Sequence, residues 1–271
     1  MIRKIAETTQ GFETRDGAGV RLVRVLGNGT KDIYDPILML DSFDTDNYDD
    51  YKGGFPEHPH RGIETISYLK HGRMLHRDSM GFEDEITDGQ VQWMTTGSGI
   101  LHEEMLPESD RMLGVQLWLN LPQKLKMVKP HYQPLKDLPR VEGQGFNVDI
   151  ISGSYKETDG YQAPNHPLTF YAIEFTDDAE FNLDVEEDDV VILFTLLGSV
   201  DVSGEILEEK TAATLSSGDK VSFTGKKGDI VLFLKSKRLD EKVAWGGPIV
   251  MNSMDEIYHA FKELREGTFI K

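Results

Sequence analysis

Histidine and carboxylate side chains recur at an interval of two in two separate stretches of the chain. In FPEHPHRGIETISYL, His58 and His60 stand two apart, and in TTGSGILHEEML, His102 and Glu104 repeat that spacing. Residues two apart on a β-strand project to one face, so each motif offers a pair, and Glu103, one residue out of step, must face the opposite way. If the two strands lie side by side, three imidazoles and one carboxylate converge on a point, each able to reach a metal at about 2 Å. Such a set leaves a divalent metal with one residual positive charge and open positions, which suits activation of oxygen better than closed structural binding. A single HxH on a strand is commonly surface or turn chemistry. Here both pairs are flanked by glycine (Gly53, Gly54 and Gly62; Gly97 and Gly99), the residue that permits close approach of backbone to a site. His71, His76, His131, His166 and His259 have no partner at this interval and read as surface or packing residues, most of them solvated.

Glu64 competes with Glu104 for the fourth position. It follows His60 by four residues and shares its face, yet a straight strand would carry it about 13 Å away, so it reaches the site only if the chain bends, for instance at Gly62. The chain contains no cysteine, which excludes thiolate ligands, a cysteine nucleophile and disulfides, and leaves nitrogen and oxygen as the donors.

The elements that must position these groups are mostly strands. ETISYL, VQWMTT, VQLWLNL, LTFYAIEF, VVILFTLL and DIVLFLKS are short, rich in β-branched and aromatic residues, and separated by Gly, Asp or Asn turns, a pattern that predicts a sandwich or barrel. Residues 121–140, with four prolines and no sustained period, read as a linker. Near the end, Ser253 and Glu256 form a capping box, Met254, Ile257, Phe261 and Leu264 recur at helical spacing, and Gly267 supplies a stop, which predicts a helix packed on a barrel. The two halves also resemble each other: YLKHGRM around Gly72 is echoed by TLLGSVD around Gly198, and TDGQVQWMTTG around Gly89 by SSGDKVSFTG around Gly218. Aligned in this way, Asp184 and Glu186 fall opposite His58 and His60, and Val231 falls opposite His102, so the second half is expected to carry no metal.

A length of 271 residues suits two ordinary domains, and a formal net charge of −18 disfavours direct contact with nucleic acid or anionic membranes. The opening residues lack the apolar stretch of a signal peptide, and the most apolar run, Val190 to Leu197, is too short to span a bilayer, so the chain reads as soluble and cytoplasmic.

HPHRGIETISYL, followed by DGQVQWMTTGSGILHEEM, which begins 30 residues later, resembles the two cupin motifs in the form they take in the pirin family. DPILMLDSF early and GGPIVMN late extend the resemblance over nearly the whole chain. It implies an all-β bicupin of two antiparallel jelly-roll-type barrels with a short C-terminal helix. Residues 1–125 would form a metal-binding barrel, 126–140 a linker, and 141–271 a barrel without metal ligands. It implies iron(II) on His58, His60, His102 and Glu104, with manganese, nickel, copper, cobalt and zinc as competitors, and it favours Glu104 over Glu64. Pirins are similar to quercetin dioxygenases, so the resemblance implies a flavonol and O2 as substrates, with Glu104 as ligand and catalytic base. Some pirins instead act as iron-dependent regulators that dock on transcription factors or metabolic enzymes. The acidic charge is compatible with such a partner if its surface is basic.

Overall fold

Two kinds of strand sequence build the site-bearing part of the molecule. Met112–Asn120 is a near-continuous apolar run, and it and Ile63–His71, which carries Glu64, Thr65 and Ser67 among its apolar residues, are buried along almost their entire length, as strands covered on both faces are. Ile100–Met105 alternates instead: Ile100, His102 and Glu104 are buried, whereas Leu101, Glu103 and Met105 face outward. Period two thus turns His102 and Glu104 inward together and Glu103 away from them.

The computed structural model describes residues 1–271, which divide into two units. One comprises Glu13–Gly29, Pro36–Asp137 and Leu239–Lys271. Its seven-stranded sheet runs in the order His131–Leu135, Gln90–Thr95, Ile63–His71, Met112–Asn120, Ile37–Thr45, Val20–Leu26, Phe12–Asp16. A four-stranded sheet runs in the order Phe55–His60, Ile100–Met105, Met74–Asp78, Glu83–Ile86, with antiparallel pairing around the site.

The other unit, Met1–Phe12, Thr30–Asp35 and Leu138–Arg238, repeats this plan strand for strand. Its seven strands are ordered Ile5–Gln10, Thr211–Leu215, Val190–Leu197, Ile230–Ser236, Leu168–Phe175, Phe146–Ser152, Arg140–Glu142. Its four are ordered Ala179–Asp184, Lys220–Gly225, Val200–Val202, Glu205–Leu207. The fold is therefore all-β with one short helix and is internally duplicated.

The structure revises three expectations. The first is the linear division at residues 126–140. The units are interleaved: strand Ile5–Gln10 pairs with Thr211–Leu215, and residues 239–271 belong with the metal-motif unit. Local patterning carries no record of such long-range pairing. The second is the linker, within which His131–Leu135 is a strand paired with Gln90–Thr95, with Tyr132 buried. It lies at the sheet edge, where a proline such as Pro134 does not interrupt a ladder.

The third revision concerns the alignment of the halves. Gly72 and Gly198 do mark equivalent turns, but Gly89 precedes Gln90–Thr95 while Gly218 precedes Lys220–Gly225, the counterpart of Ile100–Met105. Matching registers, His102 opposite His58 and Ser222 opposite Asn182, place Asn182, Asp184 and Ser222 at the positions of His58, His60 and His102. The interior of that unit is filled with rings, Phe146, Phe175, Phe181, Phe223 and Phe233 among them.

The helix, Met254–Glu266, has the expected ends. The Ser253 hydroxyl accepts from the Glu256 N–H, and Gly267 closes the helix in the left-handed conformation at φ 71°. No helix is long and apolar enough to cross a membrane. Residues 239–251 run across the barrel close to Gly62, whose φ is 82° and where a Cβ would meet the Val250 carbonyl at 2.0 Å. Only glycine fits there.

Candidate metal centre

His58 and His60 lie on Phe55–His60, an edge strand, the place in a sheet where prolines such as Pro56 and Pro59 are found. Its neighbour Ile100–Met105 sets His102 directly opposite His58. The Nε2 atom of His58 lies 3.0 Å from that of His60 and 3.0 Å from that of His102. Ligand atoms of all three residues lie within 4.8 Å of one another. Two donors about 2.1 Å from a metal and at right angles to each other would be about 3.0 Å apart, so the spacing fits adjacent positions around one divalent ion.

The outer nitrogens fix the tautomers of two rings. His58 Nδ1 lies 2.9 Å from the Pro56 carbonyl and His60 Nδ1 lies 3.0 Å from the Pro248 carbonyl. Carbonyls only accept, so these nitrogens carry the protons and the Nε2 lone pairs face inward. Burial, reinforced by His58, pushes the His60 imidazolium down to about 3. Burial, with His60, His58 and His76 alongside, holds His102 well below the ordinary histidine range. Both rings are neutral at physiological pH, the form that binds metal. The donor set therefore fits a divalent transition metal.

Glu104 stands outside that group of three. It is buried on the strand of His102, with a register irregularity between the two residues, and its carboxylate is tied by side-chain amides. Gln116 Nε2 donates to both oxygens, at 3.1 and 2.9 Å, and Gln92 Nε2 donates to Oε1. Glu64, the competing carboxylate, is buried and paired elsewhere, accepting from Trp93 Nε1 at 2.9 Å and Thr95 Oγ1 at 2.7 Å. It braces neighbouring strands.

His58 and His60 open onto a cavity of about 620 Å³. Trp118 and Trp245 line it with ring centroids 5.6 Å apart, and the edge of Trp118 meets His60 at 5.1 Å. Arg24, also in the lining, is held by Asp41, at 2.9 and 2.7 Å, and by Asp16 at 2.7 Å. The cavity joins an aromatic wall to a polar, hydrogen-bonding one.

Several of these groups escape a reading of motifs. Gln92 and Gln116 are single polar residues inside apolar strands, and that interruption is the only signal they give. The Pro248 carbonyl comes from a segment remote in sequence. His76, expected to be an ordinary surface or packing residue, is fully buried beside His102 with ring centroids 5.5 Å apart. Of the other four unpaired histidines, His71, His131 and His259 are exposed and His166 is buried.

The chain matches the pirin family over residues 19–119 and the pirin C-terminal cupin domain over residues 170–270. It is 39% identical over 277 residues to a pirin-like protein of Caulobacter vibrioides, covering 99% of each chain. To the pirin of Homo sapiens it is 32% identical over 272 residues, covering 97% of this chain and 92% of the other. Among solved structures, it is similar to a quercetin 2,3-dioxygenase from Acinetobacter baumannii at a TM-score of 0.91, with 29% identity and 99% of both chains covered.

Proposed function

The chain belongs to the pirin family, and on that footing we propose that it is a dioxygenase that opens flavonols such as quercetin with O2. The observation that carries this reading is the convergence of three imidazoles, with Nε2 of His58 3.0 Å from that of His60 and from that of His102, where His58 and His60 line a cavity of about 620 Å³. That volume lies within the range of sites for drug-sized ligands. A metal bound by His58, His60 and His102, iron(II) in our reading, would supply Lewis acidity toward a phenolic oxygen and redox reach to O2.

The protein's own groups do the rest. Trp118 and Trp245 give a planar aromatic a face to lie against, and Arg24, Asp16 and Asp41 offer hydrogen bonds to its outlying hydroxyls. Glu104 serves as fourth ligand and takes the hydroxyl proton as the flavonol arrives. Both roles require its oxygens to be released in part from Gln92 and Gln116. Burial around the site keeps bulk water from competing for the proton.

Oxygen uptake by the iron-loaded protein on a panel of flavonols tests this. We expect stoichiometric consumption of O2 and flavonol. Stoichiometric iron without uptake on any flavonol would leave the regulatory reading, in which the same centre tunes docking on a transcription factor or metabolic enzyme.

A further inference from the structure

Two of the three imidazoles in the centre anchor their outer nitrogen on a backbone carbonyl, and the third does not. His102 Nδ1 is buried and has no hydrogen-bond partner in the protein. Ligating histidines almost always donate that proton to an acceptor, because the acceptor fixes ring orientation and raises ligand basicity. A buried N–H left alone costs about 1–3 kcal/mol.

The neighbouring strand supplies the complementary atom. Met74–Asp78 pairs with Ile100–Met105 so that His102 faces Asp78 and Glu104 faces His76. His76 is wholly buried, stacked on Tyr132 at 4.2 Å, and its ring centroid lies 5.5 Å from that of His102. Its Nε2 lies 2.9 Å from Asp78 Oδ2, and its Nδ1 is also buried without a partner. The Asp78 side chain is fully buried, and its other oxygen accepts from the backbone N–H groups of Met80 at 2.8 Å and Phe82 at 3.2 Å. Asp78 is therefore an oriented acceptor. It keeps the proton of His76 on Nε2 and leaves a lone pair on Nδ1. When Nε2 of His102 faces a metal, Nδ1 of His102 carries a proton. One unpaired donor and one unpaired acceptor thus sit on buried rings whose centroids are 5.5 Å apart.

We propose that Asp78 and His76 form a buried relay that accepts the Nδ1 proton of His102, in contact or through one water, and so positions His102 in the metal centre. The proposal rests on His102 being a ligand. His76 is a positioning residue that never touches the metal; its Nδ1 takes the place that a backbone carbonyl takes for His58 and His60, and Asp78 holds it in that role.

The test uses the full chain and cobalt(II), with affinity read by chelator competition and geometry by the visible absorption of the bound ion. His76→Phe keeps a ring against Tyr132 and removes the acceptor. Its cobalt dissociation constant should rise about 10–100-fold, with a shifted spectrum. Asp78→Asn is nearly isosteric and retains the oxygen that accepts from Met80 and Phe82. Its amide would donate to His76 Nε2, move the proton to Nδ1 and set donor against donor, so it should weaken cobalt binding in the same way. If His76→Phe fails to fold, Asp78→Asn decides. Parent-like affinity and spectrum in both variants would overturn the relay while leaving the metal centre standing. A parent protein that binds no cobalt would remove the centre and the relay together.

Discussion

Glu104 is tied at both oxygens, and this gives its substitution two separable effects. Glu104→Gln would turn one acceptor into a donor facing the amides of Gln92 and Gln116, leaving a buried donor opposed, at about 1–3 kcal/mol. The melting temperature of the metal-free variant should therefore fall. After loading to full occupancy with excess iron, oxygen uptake on a flavonol should remain lower by about a hundredfold, the contribution of a positioned base. Equal rates at equal occupancy would reduce Glu104 to a ligand. The HxH and HxE intervals bring His58, His60, His102 and Glu104 forward as candidates from residue types alone; the structure groups the three histidines, and period two separates Glu104 from Glu103. His76, Gln92 and Gln116 were not legible, because a lone polar residue has meaning only once register shows what it faces.

Among the elements, the strand that carries the HxH pair is held from its far end by the C-terminal segment. Arg61, next to His60, is buried with its guanidinium over the Phe269 ring at 4.2 Å. It donates to Ser98 O at 2.7 Å, Glu263 Oε2 at 2.6 Å and Phe269 O at 3.1 Å. Removing a partner from such a cation leaves a buried charge uncompensated. Glu263→Ala should destabilise the chain by about 3 kcal/mol, measured as a lower denaturant midpoint. An unchanged midpoint would show that the two carbonyls suffice. The helix containing Glu263 was legible to the residue, because its capping box and terminal glycine are local signals. What it packs against was not legible. Nor was the slip of one strand between the repeats, since glycine turns recur at similar spacing throughout a duplicated β fold.

At the scale of the whole molecule, the metal-motif unit is complete only with residues 239–271, which bring the Pro248 carbonyl to His60 and Glu263 to Arg61. A fragment of residues 1–140, the natural cut for a linear two-domain chain, should therefore fail to bind stoichiometric metal, as elemental analysis would report. A fragment that binds as the full chain does would show that the late segment is dispensable. Strand content and duplication were readable because apolar runs and turns are local. The crossing of both termini between units was not, because strand pairing is decided by partners far away in sequence.

The most direct test of a metal centre at His58, His60 and His102 is metal stoichiometry in the parent and in His58→Ala and His102→Ala, all purified and loaded with iron alike. The expected result is one equivalent in the parent and a small residue in each variant. Stoichiometric metal retained by either variant would contradict the centre.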